Sequence, residues 1–142
     1  MEKQKLYRGR LIDHLHLVTR ELSVSKRFYK AALEALGIPI GGEADDFFWA
    51  DELFVSTENS KAAQGKVTGR VHFAFQADSR EQVERFYRAG IEAGGISNGE
   101  PGERPYHPGY FAAFLLDPDG NNVEAVFHGP AKRSTPAIEL EF

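Results

Sequence analysis

HLHLVTRELSVSKRFYKAALEALGI, residues 14–38, returns 58 residues later as HFAFQADSREQVERFYRAGIEAGGI, residues 72–96. His14 pairs with His72 and Leu17 with Phe75. Arg27-Phe28-Tyr29 matches Arg85-Phe86-Tyr87, Glu34-Ala35 matches Glu92-Ala93, and Gly37-Ile38 matches Gly95-Ile96. No gap is needed across the 25 residues. Two copies at so long a period do not make a solenoid. They imply a duplicated supersecondary module, two halves combining into one domain over residues 1–142 with pseudo-twofold symmetry.

Each copy opens with alternation. In residues 12–18, Ile12, His14, His16 and Val18 share a face, opposite Asp13, Leu15 and Leu17. In residues 71–77, His72, Ala74 and Gln76 oppose Val71, Phe73, Phe75 and Ala77. A helix follows each strand. The first is expected over residues 23–36, ended by Gly37 and Pro39. The second spans 79–93. Ser79 and Gln82 have capping-box spacing, Val83, Phe86, Tyr87, Gly90 and Ile91 form one face, and Gly94-Gly95 stops it. Strands then fall at 47–50 and 53–57, broken near Asp51, and at 110–116 and 122–128, joined by the turn-rich Asp117-Pro118-Asp119-Gly120-Asn121. Residues 58–70 and 97–109 read as loops. The first ten residues and the tail 129–142 have no assigned role. Module one covers about 11–57 and module two about 70–128. The class is α+β, each module being a strand, a helix and further strands.

Composition narrows the chemistry. Apolar residues make up 42%, charged residues 27%, and the formal net charge is −4, with no basic stripe to neutralise phosphates; a nucleic-acid partner is not expected. The N-terminus lacks the apolar segment of a secretory signal and no run approaches a membrane span, so the expected location is the cytoplasm. There is no cysteine, which leaves His, carboxylate, hydroxyl and backbone oxygen as metal donors.

His14 and His72 hold equivalent positions on the less apolar face of their strands. In the last strand Asn122, Glu124, Val126 and His128 share a face opposite Val123, Ala125 and Phe127. If the apolar faces pack on the helices, Glu124 points the same way as both histidines. Two imidazoles and a carboxylate with open positions suit one divalent ion: Fe, Mn, Zn, Ni or Co. His16 shares the face of His14 and is a candidate base. His107 reads as a solvated loop residue and His128 as the rim of a strand.

The early-strand His, the Phe-Tyr pair that follows it and DPDGNNVE, Asp117 to Glu124, resemble the vicinal oxygen chelate superfamily over about residues 11–128. That group includes glyoxalase I, extradiol dioxygenases, fosfomycin-resistance transferases and bleomycin-binding proteins. The resemblance implies paired βαβββ units around a concave site, with His14, His72 and Glu124 as metal ligands. Glyoxalase I-like members take a further Glu from the last strand of the first module. Here that strand reads LFVSTE, the equivalent position falls near Val55 or Ser56, and Glu58 fits only with a shifted register. Dioxygenases and fosfomycin enzymes carry a Tyr ten residues before the Glu ligand, where this chain has Phe114. Arg133 matches an Arg of some fosfomycin enzymes.

The expected function is a metal-dependent enzyme, a lyase or isomerase of glyoxalase type or a dioxygenase, whose small substrate chelates the ion through neighbouring oxygens. His16 and Glu58 are the candidate catalytic groups. Trp49, Arg104, Tyr110 and Phe114 are the candidate substrate contacts. The alternatives are a non-catalytic bleomycin-type binding protein and a thiol transferase of fosfomycin type. One module leaves its polar-lined face half open; the module that closes it can come from the same chain or from a symmetry mate, and many short members of the family it resembles use a mate. A C2 homodimer is therefore expected, each site taking His14 from one chain and His72 with Glu124 from the other.

Overall fold

The computed structural model describes residues 5–9, 12–63 and 66–141. Residue 11, the expected start of module one, and residues 64 and 65 of the expected 58–70 loop lie outside the described residues. In chain order the elements are β1 (Lys5–Arg8), β2 (Leu15–Thr19), α1 (Leu22–Ala35), β3 (Gly42–Glu43), β4 (Phe47–Ala50), β5 (Leu53–Thr57), a short 3-10 turn (Lys61–Ala63), β6 (His72–Gln76), α2 (Arg80–Glu92), β7 (Ile96–Glu103), β8 (Phe111–Leu116), β9 (Asn122–Phe127) and β10 (Ile138–Glu141).

Among the described residues the strands form two four-stranded sheets of the same topology, β2-β5-β4-β3 and β6-β9-β8-β7, and a separate ribbon of β1 with β10. In each large sheet the first strand pairs parallel with the last strand of its own module, and the remaining pairs are antiparallel. The duplication seen in the sequence is therefore a duplication of the α+β βαβββ fold.

Three features differ from the sequence reading. β2 begins at Leu15, so His14 lies just before the strand. Residues 96–103, read mostly as loop, are the edge strand β7, whose register shifts around Gly99 and again before Gly102. An edge position tolerates Pro101, and bulges absorb the glycines. The tail contributes β10, which pairs antiparallel with the N-terminal β1.

The helices form where their caps and faces dictate. Ser79 Oγ accepts from Gln82 N–H at 3.1 Å. The return bond of the expected capping box is displaced by one residue, Gln82 Oε1 accepting from Asp78 N–H at 2.7 Å. The repeated phenylalanines Phe28 and Phe86 are both fully buried, each contributing about 1.5–3 kcal/mol from burial. They belong to one core that draws on both modules.

The two modules join helix to helix. Gly90 sits where a Cβ would come within 2.2 Å of Leu115 Cδ1 and 3.4 Å of Phe28, so a bare backbone lets α2 settle between β8 and α1. Arg27 Nη2 donates to the carbonyl of Glu92 at 3.1 Å. The Asp117–Asn121 turn seals the seam: Tyr29 and Thr19 donate to Asp117 and Asp119, each at 2.5 Å. The first strand of the second sheet is open on the side turned from the core. In β6, His72, Ala74 and Gln76 are exposed, while Phe73 and Phe75 are partly buried against the core. No helix among the described residues is long and apolar enough to cross a membrane.

Candidate metal centre

Glu124 lies in the interior strand β9, and only 3% of it is exposed. A buried carboxylate requires partners, and both oxygens have one. His72 Nε2 lies 2.9 Å from Oε1, and the Tyr110 hydroxyl donates to Oε2. The parallel pairing of β6 with β9 sets Ala74 opposite Glu124 and His72 two residues before it, which brings the imidazole to the carboxylate. Burial pushes the Tyr110 phenol above its usual range, reinforced by the hydrogen bond to Glu124 and by its charge. Phe114, directly across from Glu124 in β8, packs 5.9 Å from the His72 ring. Arg104 lies over the Phe114 ring, its guanidinium carbon 5.3 Å from the centroid. Its Nη2 is held by the Glu100 carbonyl at 2.7 Å.

The first module carries the remaining candidates. His14 is exposed, and its Nδ1 lies 2.7 Å from Asp13 Oδ1. An ionised carboxylate only accepts, so Nδ1–H donates and Nε2 keeps its lone pair, an arrangement common for metal-binding histidines. His16 Nε2 lies 2.7 Å from Ser56 Oγ, which itself donates to the Thr57 carbonyl at 3.1 Å. The hydroxyl proton is thereby used, so His16 donates through Nε2 and keeps its lone pair on Nδ1. Burial, and then repulsion from His14 when that ring is protonated, lower the His16 pKa. Trp49 is half-buried in β4, and Glu58 is exposed in the turn after β5.

Register corrects one sequence assignment. His16 pairs with Phe54 as its repeat counterpart Ala74 pairs with Glu124. Trp49 faces Phe54 as Phe114 faces Glu124. The first-module counterpart of the Glu124 position is thus Phe54, not Val55 or Ser56. It carries no ligand. Phe54 stacks on Phe47 at 5.1 Å and meets His16 edge-on at 5.0 Å, so this half presents an aromatic face where the other presents a carboxylate.

The structure gathers His72, Glu124, Tyr110, Phe114 and Arg104 in the second module, and leaves His14, His16, Trp49 and Glu58 in the first. Among the described residues no three His, Asp or Glu side chains of a single chain converge as a metal site. The donors that do converge fit half of one. His72 Nε2 and Glu124 Oε1 stand about as far apart as two ligands on adjacent positions of an ion with bonds near 2.1 Å. Sequence reading also missed the pairing of His107 with His128, 2.9 Å apart between a ring nitrogen of each. Only the sheet register brings those two together.

Comparison with known proteins gives a consistent result. The model of the Glyoxalase/Bleomycin resistance protein/Dioxygenase superfamily matches residues 11–125. A glyoxalase/bleomycin resistance protein from Albidiferax ferrireducens T118 is 30% identical, with a TM-score of 0.66 over 82% of this chain and 97% of that one. A family enzyme from Burkholderia phytofirmans PsJN is 21% identical (TM-score 0.63, 80% and 95% covered). Lactoylglutathione lyase from Agrobacterium tumefaciens is 17% identical (TM-score 0.59, 83% and 93% covered). These last two share the fold. No protein of curated function matches significantly.

Proposed function

The chain belongs to the Glyoxalase/Bleomycin resistance protein/Dioxygenase superfamily, and from that premise we propose that it is a divalent-metal-dependent enzyme of lyase, isomerase or dioxygenase type. Its substrate is a small molecule that offers two neighbouring oxygens. The observation that carries this reading is the buried Glu124 carboxylate with Nε2 of the exposed His72 2.9 Å from it. A carboxylate is costly to bury and is retained where it has a charge to meet.

His72 and Glu124 hold the ion together with His14 from the partner subunit of a C2 homodimer. The bound ion supplies Lewis acidity that stabilises negative charge developing on the substrate oxygens. The chain's own groups do the rest. Tyr110 fixes the orientation of Glu124 through Oε2. Phe114 and Arg104 offer a ring and a cation beside it. His16, from the module that supplies His14 and with Nε2–H committed to Ser56, has Nδ1 available to take a proton, and Glu58 is the second candidate base. Phe47, Trp49 and Phe54 of the facing module provide an apolar wall that excludes water from the substrate.

Elemental analysis of protein purified without chelator tests the reading. One divalent ion per chain is expected, and His72→Ala or Glu124→Gln should lower the affinity by orders of magnitude. Unchanged affinity in both variants would remove the site.

Phe54 in the ligand-equivalent position favours a second reading, a binding protein that holds an aromatic ligand without chemistry. That protein would retain its ligand after chelation, whereas the enzyme would lose substrate binding.

A further inference from the structure

We propose that His107 and His128 form a second metal site, separate from the His72–Glu124 centre, for a cation of the Cu(II), Ni(II) or Zn(II) class. His107 lies in the loop between β7 and β8, and His128 immediately follows β9. His107 Nε2 and His128 Nδ1 are 2.9 Å apart. Two nitrogens on adjacent positions of one ion with bonds near 2.1 Å stand about 3.0 Å apart, so the pair already has the span of a chelate.

The tautomer also fits. His107 Nδ1 lies 3.0 Å from the Pro108 carbonyl. A carbonyl oxygen only accepts, so His107 Nδ1–H donates there, its Nε2 accepts from His128 Nδ1–H, and a bound ion would take the place of that one bridging proton. Metal-binding histidines are oriented by this kind of bond from the other ring nitrogen.

The backbone holds the two together. Gly109 and Gly129 both have positive φ, 86° and 79°, and they touch. A Cβ on Gly129 would meet Gly109 Cα and its carbonyl oxygen at 3.2 Å. Glycine at both positions lets the loop lie directly on the chain leaving β9, which sets the neighbouring imidazoles side by side. The Tyr110 ring meets both edge-on, at 5.3 Å from His107 and 5.4 Å from His128. Both histidines are exposed, so an ion reaches them directly and water completes its coordination. Imidazole donors suit copper, nickel and zinc, with Cu(II) bound most tightly. The bound ion would tie the β7–β8 loop to the end of β9 and fasten Tyr110, whose hydroxyl orients Glu124.

Cu(II) titration of full-length protein carrying His14→Ala and His72→Ala, followed by calorimetry and electron paramagnetic resonance, tests this with the proposed principal centre disabled. One Cu(II) per chain is expected, with a signal from two coordinated imidazole nitrogens. Adding His107→Ala or His128→Ala should weaken binding at least tenfold and abolish the two-nitrogen signal. Gly129→Ala, which keeps both histidines and separates the backbones, should also weaken it. Thermal melts of these exposed-site variants establish that each is folded. His107→Gln in place of His107→Ala gives a second measurement if one of them is not. Affinity within twofold of the starting protein after His107 or His128 is replaced, or a signal without two imidazole nitrogens, would overturn the proposal.

Discussion

The Tyr29 hydroxyl in α1 donates a 2.5 Å hydrogen bond to Asp117 Oδ2, fastening the first module to the turn that precedes Glu124. Asp117 is buried and also accepts from the backbone of Asp119 and Asn121 and from the Asn121 side chain. Its carboxylate organises the turn and the seam at once. The duplicated tyrosine, Tyr87, has diverged and donates instead to Ser97 Oγ at 2.7 Å.

Tyr29→Phe should therefore cost about 1.5–3 kcal/mol of stability, the worth of one hydrogen bond to a charged group, while Asp117 Oδ2 keeps its bond from the Asn121 side chain. The cost should have a pH signature. Burial, and then the Asp117 charge, raise the Tyr29 pKa. A raised pKa gives stability that is full below the unfolded value, about 10, and that is lost as pH rises toward the folded value. Denaturant midpoints measured from pH 7 to 11 should fall more steeply for the parent than for Tyr29→Phe. Equal alkaline slopes would contradict this role for the phenol.

Tyr110→Phe keeps the ring and removes the hydrogen bond to Glu124 Oε2. Loss of a group that orients a metal ligand typically costs ten- to a hundredfold in affinity. Competition with a chelator of known strength should show at least tenfold weaker binding. A change within twofold would mean that Tyr110 does not position the carboxylate.

Phe54→Glu places a carboxylate at the position that corresponds to Glu124 in the other module. The substitution sacrifices the stacking on Phe47, worth about 0.5–1.5 kcal/mol, so a lower melting temperature is expected. Metal affinity should rise at least tenfold, because in the proposed shared centre the added oxygen would face the ion. Unchanged affinity in a folded variant would show that the two modules do not face one another across the ion.

Much of the architecture was legible because the repeat carries it. The aligned His14/His72 and Phe28/Phe86 pairs fix two modules, and alternation around Phe73 and Phe75 fixes which face packs inward. β7 was hidden because Gly99, Pro101 and Gly102 read as turn residues, whereas an edge strand with bulges accommodates all three. The β1–β10 ribbon was hidden because its pairing spans nearly the whole chain. The His72–Glu124 pair was foreseeable from strand faces. Phe54 as its counterpart was not, since a shift of one residue moves a side chain to the opposite face and only pairing partners fix the register. Proximity of His107 to His128 depends on contact between Gly109 and Gly129, which no local pattern encodes.

The shared centre is the central claim, and subunit exchange tests it most directly. Chains carrying His14→Ala are mixed with differently tagged chains carrying Glu124→Ala, and the heterodimer is isolated through both tags. A centre built from His14 of one subunit and His72 with Glu124 of the other predicts one tightly bound ion per heterodimer, because one site regains every ligand while the second lacks two. Neither parental homodimer should hold a tight ion. A confirmed heterodimer that binds no ion more tightly than the homodimers would contradict the account.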